Sequence, residues 1–91
     1  MPRYLVERTF PDGLSFPTGE EGRATAAKVG VGNAAEGVNW VHSYVSEDDR
    51  TTYCIYDAPS PEAIRTAAGS NGLPVDRITE VHVLDPYGYG A

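Results

Sequence analysis

Cysteine, methionine and tryptophan each occur once in this 91-residue chain, and histidine occurs twice. A single cysteine cannot form an internal disulfide, which suits a reducing compartment, so we expect a cytoplasmic protein. No apolar run approaches the roughly 20 residues that span a bilayer, and the N-terminal residues lack the charged-then-apolar pattern of a signal peptide. The sequence therefore predicts neither a membrane partner nor secretion.

Basic residues are also scarce, with 7 Lys and Arg against 13 Asp and Glu, for a net charge of −6. This balance argues against nucleic acid and anionic membrane surfaces, which both select for basic patches. The glycines form neither a G-x-G-x-x-G nor a P-loop pattern, so no nucleotide cofactor is expected. The length allows one domain, residues 1–91, near the lower limit for building its own core.

Segments with strand and helix patterns alternate along the chain. Strand-type composition bounded by turn residues predicts four strands, at Arg3–Phe10, Val38–Val45, Arg50–Tyr56 and Arg77–Leu84. A capping-box spacing at 18–21 predicts a first helix, whose buried face we expect to carry Ala24, Ala27, Val31 and Ala34. A second helix is predicted from the N-cap Ser60 and Pro61 to a left-handed stop at Asn71-Gly72.

The order strand–helix–strand–strand–helix–strand is typical of the α+β ferredoxin-like fold. In this fold a four-stranded antiparallel sheet has the spatial order 4-1-3-2, and both helices cover one of its faces. The other face is left without helices.

Alternation along the strands divides their residues between these two faces. It predicts that the helix-covered face carries Tyr4, Val6, Val41, Val45, Tyr53, Ile55, Val81 and Val83. The helix-free face would then carry Leu5, Glu7, Trp40, His42, Tyr44, Thr52, Cys54, Tyr56, Ile78, Glu80 and His82. Because Trp40, Tyr44 and Tyr56 would form an exposed apolar patch, we expect a homodimer that closes over a shared cavity lined by them.

The hairpin between the second and third strands sets which residues lie opposite each other. A three-residue loop at 47–49 pairs Ser46 with Arg50, and counting inward then places His42 opposite Cys54. A two-residue loop would instead pair His42 with Ile55, although these residues are predicted on opposite faces, so we reject that register unless a bulge intervenes.

Five side chains on the predicted helix-free face could ligate a metal or transfer protons: Glu7, His42, Cys54, Glu80 and His82. Histidine binds metals as neutral imidazole and titrates near neutral pH. Each has an ordinary structural alternative: a carboxylate paired with arginine for Glu7, a hydrogen-bonded interior residue for His42, an inert buried thiol for Cys54. Glu80 and His82 have a chelating i, i+2 spacing, and His82 could instead simply face solvent.

Three stretches of the chain, PRYLVERTF, GVNWVHSYVSEDDRTTYCIYDAPSPEAIR and NGLPVDRITEVHVLDP, resemble the bacterial family called domain of unknown function 4242. That family includes a nickel-binding, nickel-responsive actinomycete protein. The resemblance implies a dimeric α/β barrel of ferredoxin-like subunits and binding of nickel. Among the positions that match the family, it implies Glu7, His42 and Cys54 as site residues.

Two main functions remain open from the sequence. The first is a homodimer that binds a divalent transition metal, nickel by the resemblance, in the cavity on the helix-free face. The second is a small cofactor-independent enzyme that uses Glu7 or His42 as general acid–base in the aromatic pocket, where a small molecule would bind. A module whose helix-free face only dimerises is a third interpretation.

Overall fold

The computed structural model describes residues 1–14 and 19–88, apart from the surroundings of residues 21 and 32. The elements follow in the order β1 (Arg3–Thr9), α1 (Gly19–Ala35), β2 (Asn39–Val45), β3 (Thr51–Asp57), α2 (Pro61–Asn71) and β4 (Arg77–Val81). In the described part of the chain, neither helix is long and apolar enough to cross a membrane.

The four strands form one antiparallel sheet in the order β2-β3-β1-β4. This order confirms the predicted ferredoxin-like α+β arrangement. The strand β4 ends at Val81, three residues earlier than predicted, so His82 and Val83 lie beyond the sheet.

Helix α2 begins and ends where its sequence signals predict. The Oγ of Ser60 accepts a hydrogen bond from the N–H of Ala63 at 3.2 Å, and Pro61 occupies the first turn. Gly72 ends the helix in the left-handed conformation, with φ 69°, which glycine adopts without steric cost. Ile64, Ala67 and Ala68 are the buried residues of this helix.

Helix α1 presents a different face to the core from the predicted one. Its buried residues are Gly22 and Asn33, and the four expected core residues are all exposed, namely Ala24, Ala27, Val31 and Ala34. Small, weakly apolar residues occur all round this helix, so their spacing does not mark one face. The predicted cap Thr18 lies outside the described residues.

The hydrophobic core lies between the sheet and the helices. Tyr4 and Val6 of β1 are buried there, as predicted, together with Cys54 and Tyr56 of β3 and Ile64 of α2. We call this side of the sheet the helix side and the other the helix-free face.

The face prediction is wrong for β3 and β4. Tyr56 and Cys54 lie opposite Tyr4 and Val6 and are therefore on the helix side, as is Thr52 opposite Arg8. Likewise, Ile78 and Glu80 lie opposite Val6 and Tyr4. Consequently Tyr53, Ile55 and Val81 belong to the helix-free face. Apolar residues occupy both parities of β3, so alternation alone could not select the buried set.

The hairpin between β2 and β3 also departs from the expected register. Its loop has four residues, 47–50, because the N–H of Ser46 donates to the carbonyl of Thr51 at 2.9 Å. Inside this turn, the Oδ1 of Asp48 accepts from the Ser46 hydroxyl and from the N–H of Arg50. His42 therefore lies opposite Ile55 rather than Cys54.

A bulge in β2 separates two parts of this strand. Trp40 lies opposite Tyr56, His42 lies opposite Ile55, and Val41 is the extra residue between them. Because one added residue reverses the alternation, Trp40 lies on the helix side while His42 and Tyr44 lie on the helix-free face.

Candidate functional sites on the two faces of the sheet

The helix-free face carries two of the five candidate ligands, His42 and Glu7. The imidazole of His42 is exposed, and its ring contacts the Tyr44 ring edge-on, with centroids 5.1 Å apart and planes at 85°. Tyr44 is itself 62% exposed. This part of β2 therefore presents an accessible imidazole beside an accessible aromatic ring.

Glu7 lies on the same face, in β1. Its cross-strand neighbours are Tyr53 on β3 and Arg77 on β4. The Oε2 of Glu7 is 4.0 Å from the Nε of Arg77, and both side chains are partly exposed. An exposed ion pair of this length contributes little to stability, so the carboxylate remains accessible to another partner.

His42 and Glu7 are not neighbours on the helix-free face of one chain. They lie two strands apart across the sheet and two residues apart along it. With strand spacings of about 4.8 Å and a rise of about 3.3 Å per residue, their Cα atoms are roughly 12 Å apart. Among residues 1–14 and 19–88, other than residues 21 and 32, no group of three or more His, Cys, Asp or Glu side chains could hold a metal ion.

Cys54 is not part of the helix-free face, contrary to the prediction. Its side chain is buried in the core, and its thiol donates to the Thr52 hydroxyl at 3.7 Å. The sheet thus separates this thiol from His42 and Glu7, which excludes a shared site of the three residues within one chain.

Glu80 and His82 are also displaced from the predicted cluster. Glu80 points to the helix side at its exposed margin, and His82 follows the end of β4. Both line an open groove of about 440 Å³ at the end of the sheet, which Arg3 and Asp57 also line.

The other carboxylate that lines this groove, that of Asp57, forms an ion pair with Arg3. The Nε of Arg3 donates to the Oδ1 of Asp57 at 2.8 Å, and the Nη2 of Arg3 donates to Oδ2 at 3.1 Å. The bidentate hydrogen bond lowers the pKa of Asp57 and raises the pKa of Arg3. Both carboxylate oxygens of Asp57 already bind Arg3, so Asp57 is a poor candidate for a metal ligand.

Trp40 and Tyr56, two of the three aromatic residues predicted to line a cavity on the helix-free face, lie on the helix side instead. A cavity of about 430 Å³ lies between sheet and helices, and Trp40, Cys54 and Tyr56 line it. Tyr44 is on the opposite face. An enzyme site with Glu7 or His42 inside the aromatic pocket is thus excluded, because the sheet lies between them.

Arg8 is the polar residue of this cavity that the sequence interpretation missed. It shares the parity of Tyr4 and Val6 in β1, and it is buried with 3% of its surface exposed. A charged residue in the buried register of a strand was the available signal. Its guanidinium donates from Nη2 to the hydroxyl of Tyr56 at 3.2 Å.

Tyr56 is the buried partner of that guanidinium. Burial raises the pKa of Tyr56 to about 12, although the nearby positive charge of Arg8 acts in the opposite direction. The phenol is therefore neutral at physiological pH.

Comparisons with known proteins agree with this fold. A family model described as "Nickel responsive protein SCO4226-like" matches residues 4–81. Among solved structures, the crystal structure of SCO4226 from Streptomyces coelicolor A3(2) matches with a TM-score of 0.64 and 19% identity, over 87% of this chain and 94% of that chain. Identity at this level shows a shared fold alone. No curated protein matches the chain significantly.

Proposed function

The chain belongs to the SCO4226-like family of nickel-responsive proteins, and on that premise we propose that it binds nickel(II) through His42 on the helix-free face. The observation that carries this placement is the exposed imidazole on a sheet face that no helix covers. The role would be sequestration or sensing of the metal rather than turnover.

The donor chemistry of this face suits nickel. Nickel(II) accepts neutral imidazole, carboxylate and water as ligands, and His42 and Glu7 supply the first two. Cys54, the soft donor in the matching family positions, is buried on the other side of the sheet. The ligand set of this proposal is therefore nitrogen and oxygen without sulfur.

One chain does not complete the site, so a second copy is part of the proposal. The helix-free faces of two chains would pack together, and each would contribute His42 and Glu7 to the shared space. The exposed ring of Tyr44 beside His42 supports this arrangement, because aromatic side chains are enriched at protein interfaces. A cytoplasmic location suits the free thiol of Cys54.

The proposal is tested by measuring the metal content of the unaltered protein and of two variants that each lack one histidine, His42→Ala and His82→Ala. Tag-free protein is dialysed with nickel, zinc or copper, and retained metal is measured by mass spectrometry. We expect nickel to be retained, to be lost in His42→Ala and to persist in His82→Ala, since the latter residue lies beyond the sheet.

Two results would contradict the proposal. If unaltered protein retains no nickel, the chain is not a metal-binding protein of this kind. If His82→Ala loses nickel and His42→Ala keeps it, the site is at the end of the sheet instead. Glu7→Gln should also retain less nickel, because the Glu7 carboxylate is part of the proposed ligand set.

A further inference from the structure

The cavity on the helix side holds a positive charge that no described carboxylate neutralises. The ion pairs of the described residues are Arg3 with Asp57 and Arg77 with Glu7, and neither involves Arg8. A buried charge without a counter-ion is costly. The burial of Arg8 therefore implies that some other interaction compensates its charge.

The partners that Arg8 does have are neutral. One N–H of Nη2 binds the Tyr56 hydroxyl, and one N–H of Nη1 reaches the carbonyl of Pro74 at 3.4 Å. Its Cζ also lies 5.7 Å from the centre of the Tyr56 ring. A guanidinium has five N–H donors, so these bonds leave donors for an anion.

The rest of the cavity is mostly apolar, although the hydroxyl-bearing residues Ser43, Thr52 and Tyr56 also belong to its lining. Arg8 shares its walls with Phe10, Leu14, Val29, Trp40 and Leu73, around a volume of about 430 Å³. Small-molecule sites are typically clefts of about 300–1,000 Å³ with apolar walls and a few polar groups that fix orientation. This cavity has that composition, with its charge at Arg8.

We propose that the helix-side cavity binds a small monocarboxylate, whose carboxylate pairs with Arg8 and whose apolar body fills the space beside Trp40. A single buried guanidinium matches one negative charge. A phosphate dianion would leave an uncompensated charge in the cavity of a chain whose net charge is already −6. This site is separate from the proposed metal site, because the sheet lies between them.

Matched acids and amides test the charge requirement on unaltered protein. Decanoate is compared with decanamide, and naphthylacetate with naphthylacetamide, by isothermal titration calorimetry. We expect at least one acid to bind with saturation and its amide to bind about tenfold or more weakly, because a charge-assisted hydrogen bond is lost. The indole N–H resonance of Trp40, the single tryptophan, should shift on binding.

Two arginine variants then locate the charge. In Arg8→Met the preference for the acid should vanish, whereas in Arg77→Met, which removes the arginine near Glu7, it should persist. The comparison of acid with amide remains decisive if Arg8→Met does not fold. Binding of neither acid, equal binding of an acid and its amide, or a preference that survives in Arg8→Met would overturn the proposal.

Discussion

Arg8 and Tyr56 are the residues whose positions depend most directly on each other. They lie on adjacent strands, both are nearly inaccessible, and the phenol accepts a hydrogen bond from the guanidinium. Hydrogen bonds to charged groups contribute about 1.5–3 kcal/mol. The hydrogen bond to Tyr56 therefore offsets part of the free-energy cost of burying Arg8 in this core.

The raised pKa of Tyr56 predicts how stability depends on alkaline pH. The phenol of an unfolded chain has an ordinary pKa of 10.0, and burial raises this pKa to about 12, so folding favours the protonated form. The contribution of the protonated phenol to the free energy of unfolding is complete below pH 10 and is lost as the pH rises from about 10 to about 12. The loss amounts to roughly 2–3 kcal/mol, and denaturant unfolding at pH 8 and pH 11 measures its onset.

Two phenylalanine variants separate this residue from the other tyrosines. Tyr56→Phe should be about 1.5–3 kcal/mol less stable at pH 8 and should show a smaller decline towards pH 11. Tyr44→Phe, which changes an exposed tyrosine, should show the full decline. An undiminished decline in Tyr56→Phe would mean that another group titrates.

At the scale of the element, the bulge at Val41 determines which side chains of β2 lie on the helix-free face and which lie on the side of the cavity. It allows Trp40 and Ser43 to share the helix side, where the indole N–H donates to the serine hydroxyl at 2.8 Å. It also places His42 between them in sequence but on the other face. One inserted residue therefore separates the two proposed sites.

Two single-residue deletions test this role of the bulge. Deletion of Val41 restores a regular ladder and keeps His42 on the helix-free face. Deletion of Ser43 also restores a regular ladder but moves His42 to the helix side, into the half-buried position opposite Cys54. We expect the Ser43 deletion to be less stable than the Val41 deletion by about 1 kcal/mol, because it removes the imidazole from solvent and eliminates the hydrogen bond from Trp40 to Ser43.

Chemical modification reads out the position of the imidazole. Diethyl pyrocarbonate followed by mass spectrometry should label His42 readily in the Val41 deletion and poorly in the Ser43 deletion, with His82 as an internal standard. Equal labelling of His42 in both deletions would contradict the assigned register.

The elements, the caps of α2 and the buried face of β1 could be predicted from the sequence, whereas the faces of β3 and β4 could not. Ser60 acts through its side-chain hydroxyl and Gly72 through its backbone conformation, and both act on the residues next to them, so these two residues determine the ends of α2 locally. The face of β3 depends on its pairing with β1, and both parities of β3 carry apolar or aromatic residues, such as Tyr53 and Tyr56. The long-range pairing that buries one set leaves no local signal, which is why Cys54 was misplaced.

On the scale of the whole molecule, the helix-free face is the surface available for a second chain. Tyr44 and Tyr53 are exposed on it, and stable interfaces commonly bury about 800 Å² per partner. A dimer through this face would bring the two copies of His42 into one space.

A charge introduced on this surface tests the dimer. We expect Tyr44→Asp to shift the protein towards monomer, by about tenfold or more in dissociation constant, because the introduced carboxylate would be desolvated at the interface. Analytical ultracentrifugation measures this. Val31→Asp introduces the same charge at an exposed apolar position of α1 and should leave the dimer intact.

Two findings would count against this dimer. The unaltered protein could sediment as a monomer with and without nickel. Alternatively, Val31→Asp could dissociate the dimer and Tyr44→Asp leave it unchanged, which would place the contact on the helices.

The bulge has one more consequence, for aggregation. The strand β2 forms an edge of the sheet. The unpaired N–H and C=O groups of a straight edge strand can form hydrogen bonds with a strand of another molecule. The extra residue at Val41 breaks the even spacing of that row and bends it. Strand addition along this edge is therefore disfavoured, which protects the protein from polymerising while its broad face stays open to another copy.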